Sequence, residues 1–300
     1  MSASGVSVIC GVMTWRRCSQ LCEPDDEWFQ WNSRFRDDFR GFVKSDPGLV
    51  PALMVRLDGS DDVFPDGRMD AYHPYQSVNY ITCHDGFRST ISRRTTRNAT
   101  GPPATTTLME RSIITVGIAD GRATRMCRRR SWCFANGTPM IRAGDEFMRT
   151  QGGKSNPYNQ DNETSWVDWD QLMANRDTFT FVQRMIAFRK SYPSLCRSRL
   201  LRHDVRWYGV SLTVYMLYHS HSLAFYLNGI LEGDEDLYVM INVYRESFHL
   251  VILEESATQW KRAIDTSLDY PEDLCESGAE VRLPVRTYLV QPRSVVVLVR

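Results

Sequence analysis

The 300-residue sequence is 42% hydrophobic and 24% charged, and its 36 basic residues balance 36 acidic ones. That length accommodates a substantial core and more than one domain, while zero net charge supplies no overall positive field to draw a nucleic acid. No run approaches the roughly 20 apolar residues that a membrane span requires, so neither a membrane nor a polynucleotide is an expected partner. The eight cysteines, at 10, 18, 22, 83, 127, 133, 196 and 275, form no CxxC pair. No metal site, no cofactor and no thiol chemistry are therefore expected, and free thiols suit a reducing, cytoplasmic compartment.

Residues 1–28 show no clear period, and MSASGVSVICGVMTWRRCSQ lacks the basic-then-apolar layout of a secretory signal. Ordered structure is expected from residue 29. In FQWNSRFRDDFRGFVKS, Trp31, Phe35, Phe39 and Phe42 recur at helical spacing with charges between them. A loop containing FPDGRMD follows. SVNYITCHDGF then reads as a short buried strand, Val78 to Thr82, that delivers His84 and Asp85 at its C-terminal end before Gly86 breaks it.

Residues 88–134 read as loop or disorder. They hold ten Arg between Arg88 and Arg130, no Lys, and only Glu110 and Asp120 as acids, with a threonine-rich TTRNATGPPATTT. Ten guanidiniums attract phosphate, but without interleaved aromatics or a recognisable fold they do not make a nucleic-acid site. Order is expected again from Gly137. TPMIRAGDEF predicts a second short strand running into Asp145 and Glu146, and RTQGGKSNPYNQDNETSW a polar loop. A helix over 176–190 follows, with Asn175 as its cap, Asp177 in its first turn, and Phe181, Val182, Met185, Ile186 and Phe188 as its packing stripe. Pro193 stops it.

From residue 205 the period becomes two. Leu237, Val239, Ile241 and Val243 alternate with Tyr238, Met240, Asn242 and Tyr244, and further strands are expected over 248–253, 286–290 and 294–299. Short strands without helical interruption predict a small antiparallel β-sandwich, able to fold by itself.

Chemistry concentrates at strand ends. Asp85 beside His84 admits three readings: a metal-ligand pair, a solvated turn, or a carboxylate that handles sugar hydroxyls. The surrounding strings narrow them. WNSRFRDDFRGF, DAYHPYQSVNYITCHDGF, NGTPMIRAGDEFMRTQGG, NPYNQDNETSWVDW and YHSHSLAFYLNG occur in this order. Together they resemble the isoamylase-type glycogen debranching enzymes of the α-amylase superfamily, over residues 29–87 and 134–300.

The resemblance implies an α/β fold: the C-terminal part of a (β/α)8 TIM barrel over 29–200, with 88–134 an aberrant or disordered insert, followed by an all-β antiparallel sandwich over 201–300. It implies an α-1,6-glucosidase of glycogen or amylopectin-like α-glucan, acting with retention. Asp85 matches the third essential carboxylate, a transition-state stabiliser at the end of the seventh barrel strand, and His84 matches a residue that hydrogen-bonds the same sugar hydroxyls. Contacts that tighten only in the transition state accelerate cleavage. TPMIRAGDEF matches the eighth strand, with Asp145 and Glu146 as loop architecture or outer-subsite residues, and Asn159, Gln160 and Asp161 face substrate.

Retaining cleavage also needs a nucleophile and an acid about 5 Å apart. In the family these lie on the fourth and fifth strands, and no Arg-x-Asp signature precedes WNSRFRDDFRGF. Cys22-Glu23-Pro24 weakly resembles the acid-bearing Glu-Pro but lies too close to Trp31. The Arg/Thr-rich stretch stands where the family has an Asn-rich loop, and its composition resembles coding sequence read out of frame. Two expectations follow: a debranching hydrolase by descent, inactive as this chain, or a non-catalytic glucan-binding or structural remnant.

Overall fold

A computed structural model describes residues 29–64, 73–83, 131–149, 160–254 and 259–300, apart from positions 198, 203, 211–213 and 215. Three parallel strands form the first sheet: β1 (Gln30–Trp31), β2 (Ser77–Tyr80) and β3 (Thr138–Met140), with β2 in the centre. Two of these were expected and β1 was not. Trp31 was assigned to the helical stripe, but it lies in β1 and its ring packs on Tyr80 at 5.4 Å.

The reason is Asn32. It ends the strand with extended backbone, and its Oδ1 accepts the N–H of Phe35 at 2.8 Å, so helix α1 (Ser33–Val43) starts after it. Its Nδ2 is within 2.9 Å of the hydroxyls of both Ser60 and Ser77. One side chain thus ties the helix start to the segments before β2 and in it. Phe35, Phe39 and Phe42 face inward as expected, the first two rings stacked at 5.1 Å.

Helix α2 (Val50–Asp58) was not anticipated. Pro51 suits its first turn, Leu53 and Leu57 sit one turn apart on the buried side, and Gly59 ends it at φ +130°. A Cβ at Gly59 would lie 2.8 Å from Leu200 and 2.9 Å from Pro74, so no other residue fits.

The described residues begin again at Ser131, ahead of Gly137, from which order was expected. Ser131–Phe134 is a 3-10 turn, and Cys133 and Phe134 are buried in the core. The rest of 88–130 lies outside the described residues.

Beyond β3, helix α3 (Asp170–Ala174) leads into α4 (Arg176–Ser191). Asn175 stands at the N-cap position of α4, as expected, but its side chain makes no capping bond. Its Nδ2 instead donates 2.9 Å back to the carbonyl of Gln171. The stripe is also narrower than expected: Phe181 and Met185 are buried and Phe188 is partly so, Val182 is half-buried, and Ile186 is 41% exposed. Arg189 takes the inward position one turn on from Met185.

The C-terminal strands form a six-stranded antiparallel sheet in the order β4-β5-β6-β11-β8-β9 and a two-stranded sheet, β10-β7. The strands are β4 (Val205–Tyr208), β5 (Ser222–Leu227), β6 (Leu237–Asn242), β7 (Phe248–Val251), β8 (Lys261–Asp265), β9 (Val281–Arg282), β10 (Thr287–Val290) and β11 (Ser294–Val299). β7, β10 and β11 fall where the alternation placed strands.

Alternation here separates two buried faces rather than a buried and a wet one. Phe225, Leu237, Val239, Ile241, Val295 and Val297 share one hydrophobic cluster with Phe35, Phe39, Leu53, Phe181 and Met185. On the opposite side Tyr238, Met240, Val296 and Leu298 pack with Trp260, Leu250 of β7 and Val290 of β10. The six-stranded sheet therefore takes the cover of one face from the helices of the first unit. Polar links reinforce that junction: Ser45 Oγ donates to the Val243 carbonyl at 2.7 Å and the Gly48 N–H to the Tyr218 carbonyl at 2.7 Å. Among the described residues, no helix is long and apolar enough to cross a membrane.

Candidate functional site at the ends of the parallel strands

In a parallel sheet every strand delivers its C-terminal end to the same side, where loops gather functional groups. The ends of β2 and β3 are tied there by side chains. The Thr82 hydroxyl donates to Asp145 Oδ2, and Arg142 Nη1 donates to the Cys83 carbonyl at 2.7 Å. These bonds fix the backbone up to residue 83, immediately before His84 and Asp85. His84, Asp85 and Asn159 lie outside the described residues, as does Glu23.

The other end of the strands is equally bound. Ser77 Oγ donates to Asn79 Oδ1 at 2.8 Å, Asn79 Nδ2 to the Asn136 carbonyl at 2.8 Å, and Thr138 Oγ1 to the Tyr75 carbonyl at 2.6 Å. Gly137, at φ +118°, permits this approach, since a Cβ there would lie 2.5 Å from Asn79 Nδ2. Below it sits Arg189, whose guanidinium donates to the carbonyls of Cys133, Ala135, Gly137 and Leu195. A fork of five donors suits such a cluster of carbonyls, and a buried Arg is tolerable when its donors are satisfied. The sequence offered no sign of this role, since Arg189 stands among other charges at the helix end.

Asp145 begins a 3-10 turn, Asp145–Phe147, entered through Gly144 at φ +91°. Its carboxylate is engaged with Thr82, in keeping with the architectural reading of this residue. Arg149 folds back against Gly144, its N–H donating to the Gly144 carbonyl at 2.8 Å. Burial, and then the Arg142 guanidinium, lower its pKa from the ordinary arginine value, while Asp145 opposes them.

Phe147 is buried, with Trp169 5.7 Å away on one side and Phe179 at 6.5 Å. The loop before Trp169 holds its own shape. Asn162 Nδ2 donates to Gln160 Oε1 at 3.1 Å, Asn162 Oδ1 accepts the Thr164 N–H at 3.0 Å, and the Trp166 indole N–H donates to Asp161 Oδ1 at 2.8 Å. Gln160 and Asp161, expected to face substrate, thus spend acceptors inside the loop, and Asp161 holds Trp166 in place. Among the described residues of this loop Trp166 and Trp169 are the exposed aromatics, and neither was singled out from the sequence.

The fold is similar to part of the pullulanase fold. The pullulanase from Bacillus acidopullulyticus superimposes with a TM-score of 0.66 over 91% of this chain and 30% of its own, at 18% identity. A Paenibacillus barengoltzii pullulanase, determined with maltohexaose and α-cyclodextrin, matches with a TM-score of 0.64 at 24% identity, over 90% of this chain and 38% of its own.

Sequence relatives sharpen the class. The chain is 30% identical over 289 residues to isoamylase 3, chloroplastic, of Oryza sativa subsp. japonica, covering 91% of this chain and 36% of that protein. It is 35% identical over 233 residues to the glycogen debranching enzyme of Dickeya chrysanthemi, covering 67% of this chain and 35% of that one. No protein-family model matches. The chain is similar to part of the isoamylase and glycogen debranching enzyme sequences, and it spans about a third of the length of the curated relatives it matches.

Proposed function

We propose that this chain is the portion of an α-1,6-glucan debranching hydrolase that carries the transition-state-stabilising carboxylate, Asp85, and part of the α-glucan site. Its parallel strands are then the last ones of a (β/α)8 barrel, and residues 201–300 the β-sandwich that follows it. The observation that carries this reading is the tie between β2 and β3. Thr82–Asp145 and Arg142–Cys83 position the chain directly before His84 and Asp85 at the C-terminal mouth of a parallel sheet.

A carboxylate there accepts two sugar hydroxyls, and His84 donates to or accepts from the same group. Both interactions strengthen as positive charge develops at the anomeric carbon. Asp85 fills neither the nucleophile nor the acid position, so the 300 residues bind and orient glucan without cleaving it. Asn159, Gln160 and Asp161 line the approach, with Gln160 and Asp161 acting through the loop they brace. A cytoplasmic location fits Cys133, Cys196 and Cys275, which form no disulfide.

The test is release of reducing ends from pullulan and glycogen by the purified chain and its Asp85→Asn variant. No release by either is expected. Turnover by the chain that disappears in Asp85→Asn would overturn the non-cleaving reading and require an acid among Glu23, Asp25, Asp26 and Glu27.

A further inference from the structure

We propose that the loop and short helix over residues 160–174 form a stacking platform for an α-glucan chain, with the indole faces of Trp166 and Trp169 as its contact surfaces. This rests on the α-glucan reading above and adds to it a place where chain units beyond the cleaved bond are held.

Trp166 is 57% exposed and Trp169 67% exposed, unusual for residues that normally bury most of their area. Neither ring is loose. Trp166 is oriented by its indole N–H bond to Asp161, and Trp169 lies against the buried Phe147 ring. Phe147 belongs to the same turn as Asp145, which holds Thr82 at the end of β2. The platform is therefore continuous with the strand ends that precede His84 and Asp85. Exposed Met173 extends the apolar surface.

The rim identifies the ligand class. Asp161, Glu163, Asp168 and Asp170 are all exposed around the two indoles, and Arg176 is the sole basic residue from 160 to 177. This acidic rim repels phosphate-bearing ligands. Protein-binding surfaces are depleted of carboxylates at their centres, whereas here carboxylates alternate with the aromatics. A neutral polyhydroxyl chain fits both features: its C–H faces stack on indoles and its hydroxyls donate to carboxylates. Pre-bonding of the loop keeps the ordering cost of binding low.

The experiment uses the full 300-residue chain. N-bromosuccinimide oxidation, mapped by peptide mass spectrometry, is run free, with maltoheptaose and with cellohexaose. Retention in glycogen-containing gels is measured for wild type, Trp166→Ala, Trp169→Ala, Trp166→Phe and the double alanine variant. Both tryptophans are expected to oxidise in the free chain and to be protected by maltoheptaose but not by cellohexaose. Each alanine should weaken glycogen retention about tenfold, a factor in keeping with loss of one aromatic contact, and phenylalanine should restore most of it. Melting temperatures should stay level, separating lost stacking from lost folding. Unchanged retention by the double variant overturns the platform and leaves the α-glucan reading standing. Indoles that resist oxidation in the free chain overturn it too, because protein then covers their faces. Absence of any glycogen retention by wild type also overturns it, while the hydrolase reading is still judged by its reducing-end assay.

Discussion

The parallel sheet and the six-stranded sheet are built in opposite ways. In the first, strands of two, four and three residues are joined by Asn32, Asn79, Thr82, Thr138, Arg142 and Arg189, side chains that bond to neighbouring side chains or carbonyls. In the second, β6 and β11 are buried along their whole length and β5 for all but its first residue, so apolar packing carries more of the load, beside polar ties such as Asn242 Nδ2 to the Glu246 and Gln291 carbonyls. Apolar packing tolerates small errors of volume, whereas a polar clamp fails when one donor is lost, since each orphaned buried acceptor costs about 1–3 kcal/mol. Precision is thus concentrated beneath the candidate site, and bulk stability in the C-terminal half.

The strongest way to break this contrast is to separate the halves. Although the sequence suggested that residues 201–300 fold by themselves, one face of their sheet shares a core with α1, α2 and α4. A 201–300 polypeptide should bind 8-anilinonaphthalene-1-sulfonate and lose its cooperative melt. A sharp melt without dye binding would show that the sheet needs no such cover.

Next in size is Arg189. Arg189→Met removes the donor to four carbonyls and should cost at least about 3 kcal/mol by urea unfolding, and Arg189→Lys should recover little because one ammonium cannot span the cluster. Recovery by lysine would mean that charge, not the fork, is what matters there.

Thr82→Val deletes the hydroxyl that joins β2 to Asp145 while keeping the shape. A loss of about 1 kcal/mol is expected. Any larger loss would make this tie more important than Arg189's neighbours.

The smallest effect concerns acid. Burial pushes the Asp62 carboxyl up, but bonds and charge from Arg56 and then Arg34 outweigh it, so its pKa sits below the usual aspartate value. A depressed carboxyl contributes stability that is present above the usual aspartate pKa and is lost as pH falls through the lower folded value. Asp62→Asn should therefore flatten the acid limb of the unfolding curve and leave its slope near neutrality unchanged. Nearby Asp38 and Asp58 are raised, chiefly by burial, and act in the opposite sense.

What the sequence disclosed follows the same division. β6 was legible from its period of two and β11 as a short continuous apolar run after a turn, although the period in β6 does not reveal that both faces are covered. β1 was not, since two residues carry no period and Trp31 happens to fall in helical register with Phe35. α2 had its markers in Pro51 and Gly59, but Val50–Asp58 reads equally well as a short apolar run. Asn175 has the side chain of a cap, and only the turn before it shows that Gln171 claims its amide. At the site, the motif words located the strand ends, while Thr82, Arg189 and Trp169 depend on partners far away in sequence, and Trp166 on a bond to Asp161 that its spacing does not announce. Gln160 and Asp161 were legible as loop residues, but their internal bonds were not.

The most direct test of the central claim joins this chain to the part of the Dickeya chrysanthemi debranching enzyme that it does not match. Reducing ends released from pullulan are then measured with and without Asp85→Asn. Release by the chimera, abolished in the Asp85→Asn form while its melting is unchanged, is the result this account predicts. A folded chimera whose turnover is indifferent to Asp85 would contradict it.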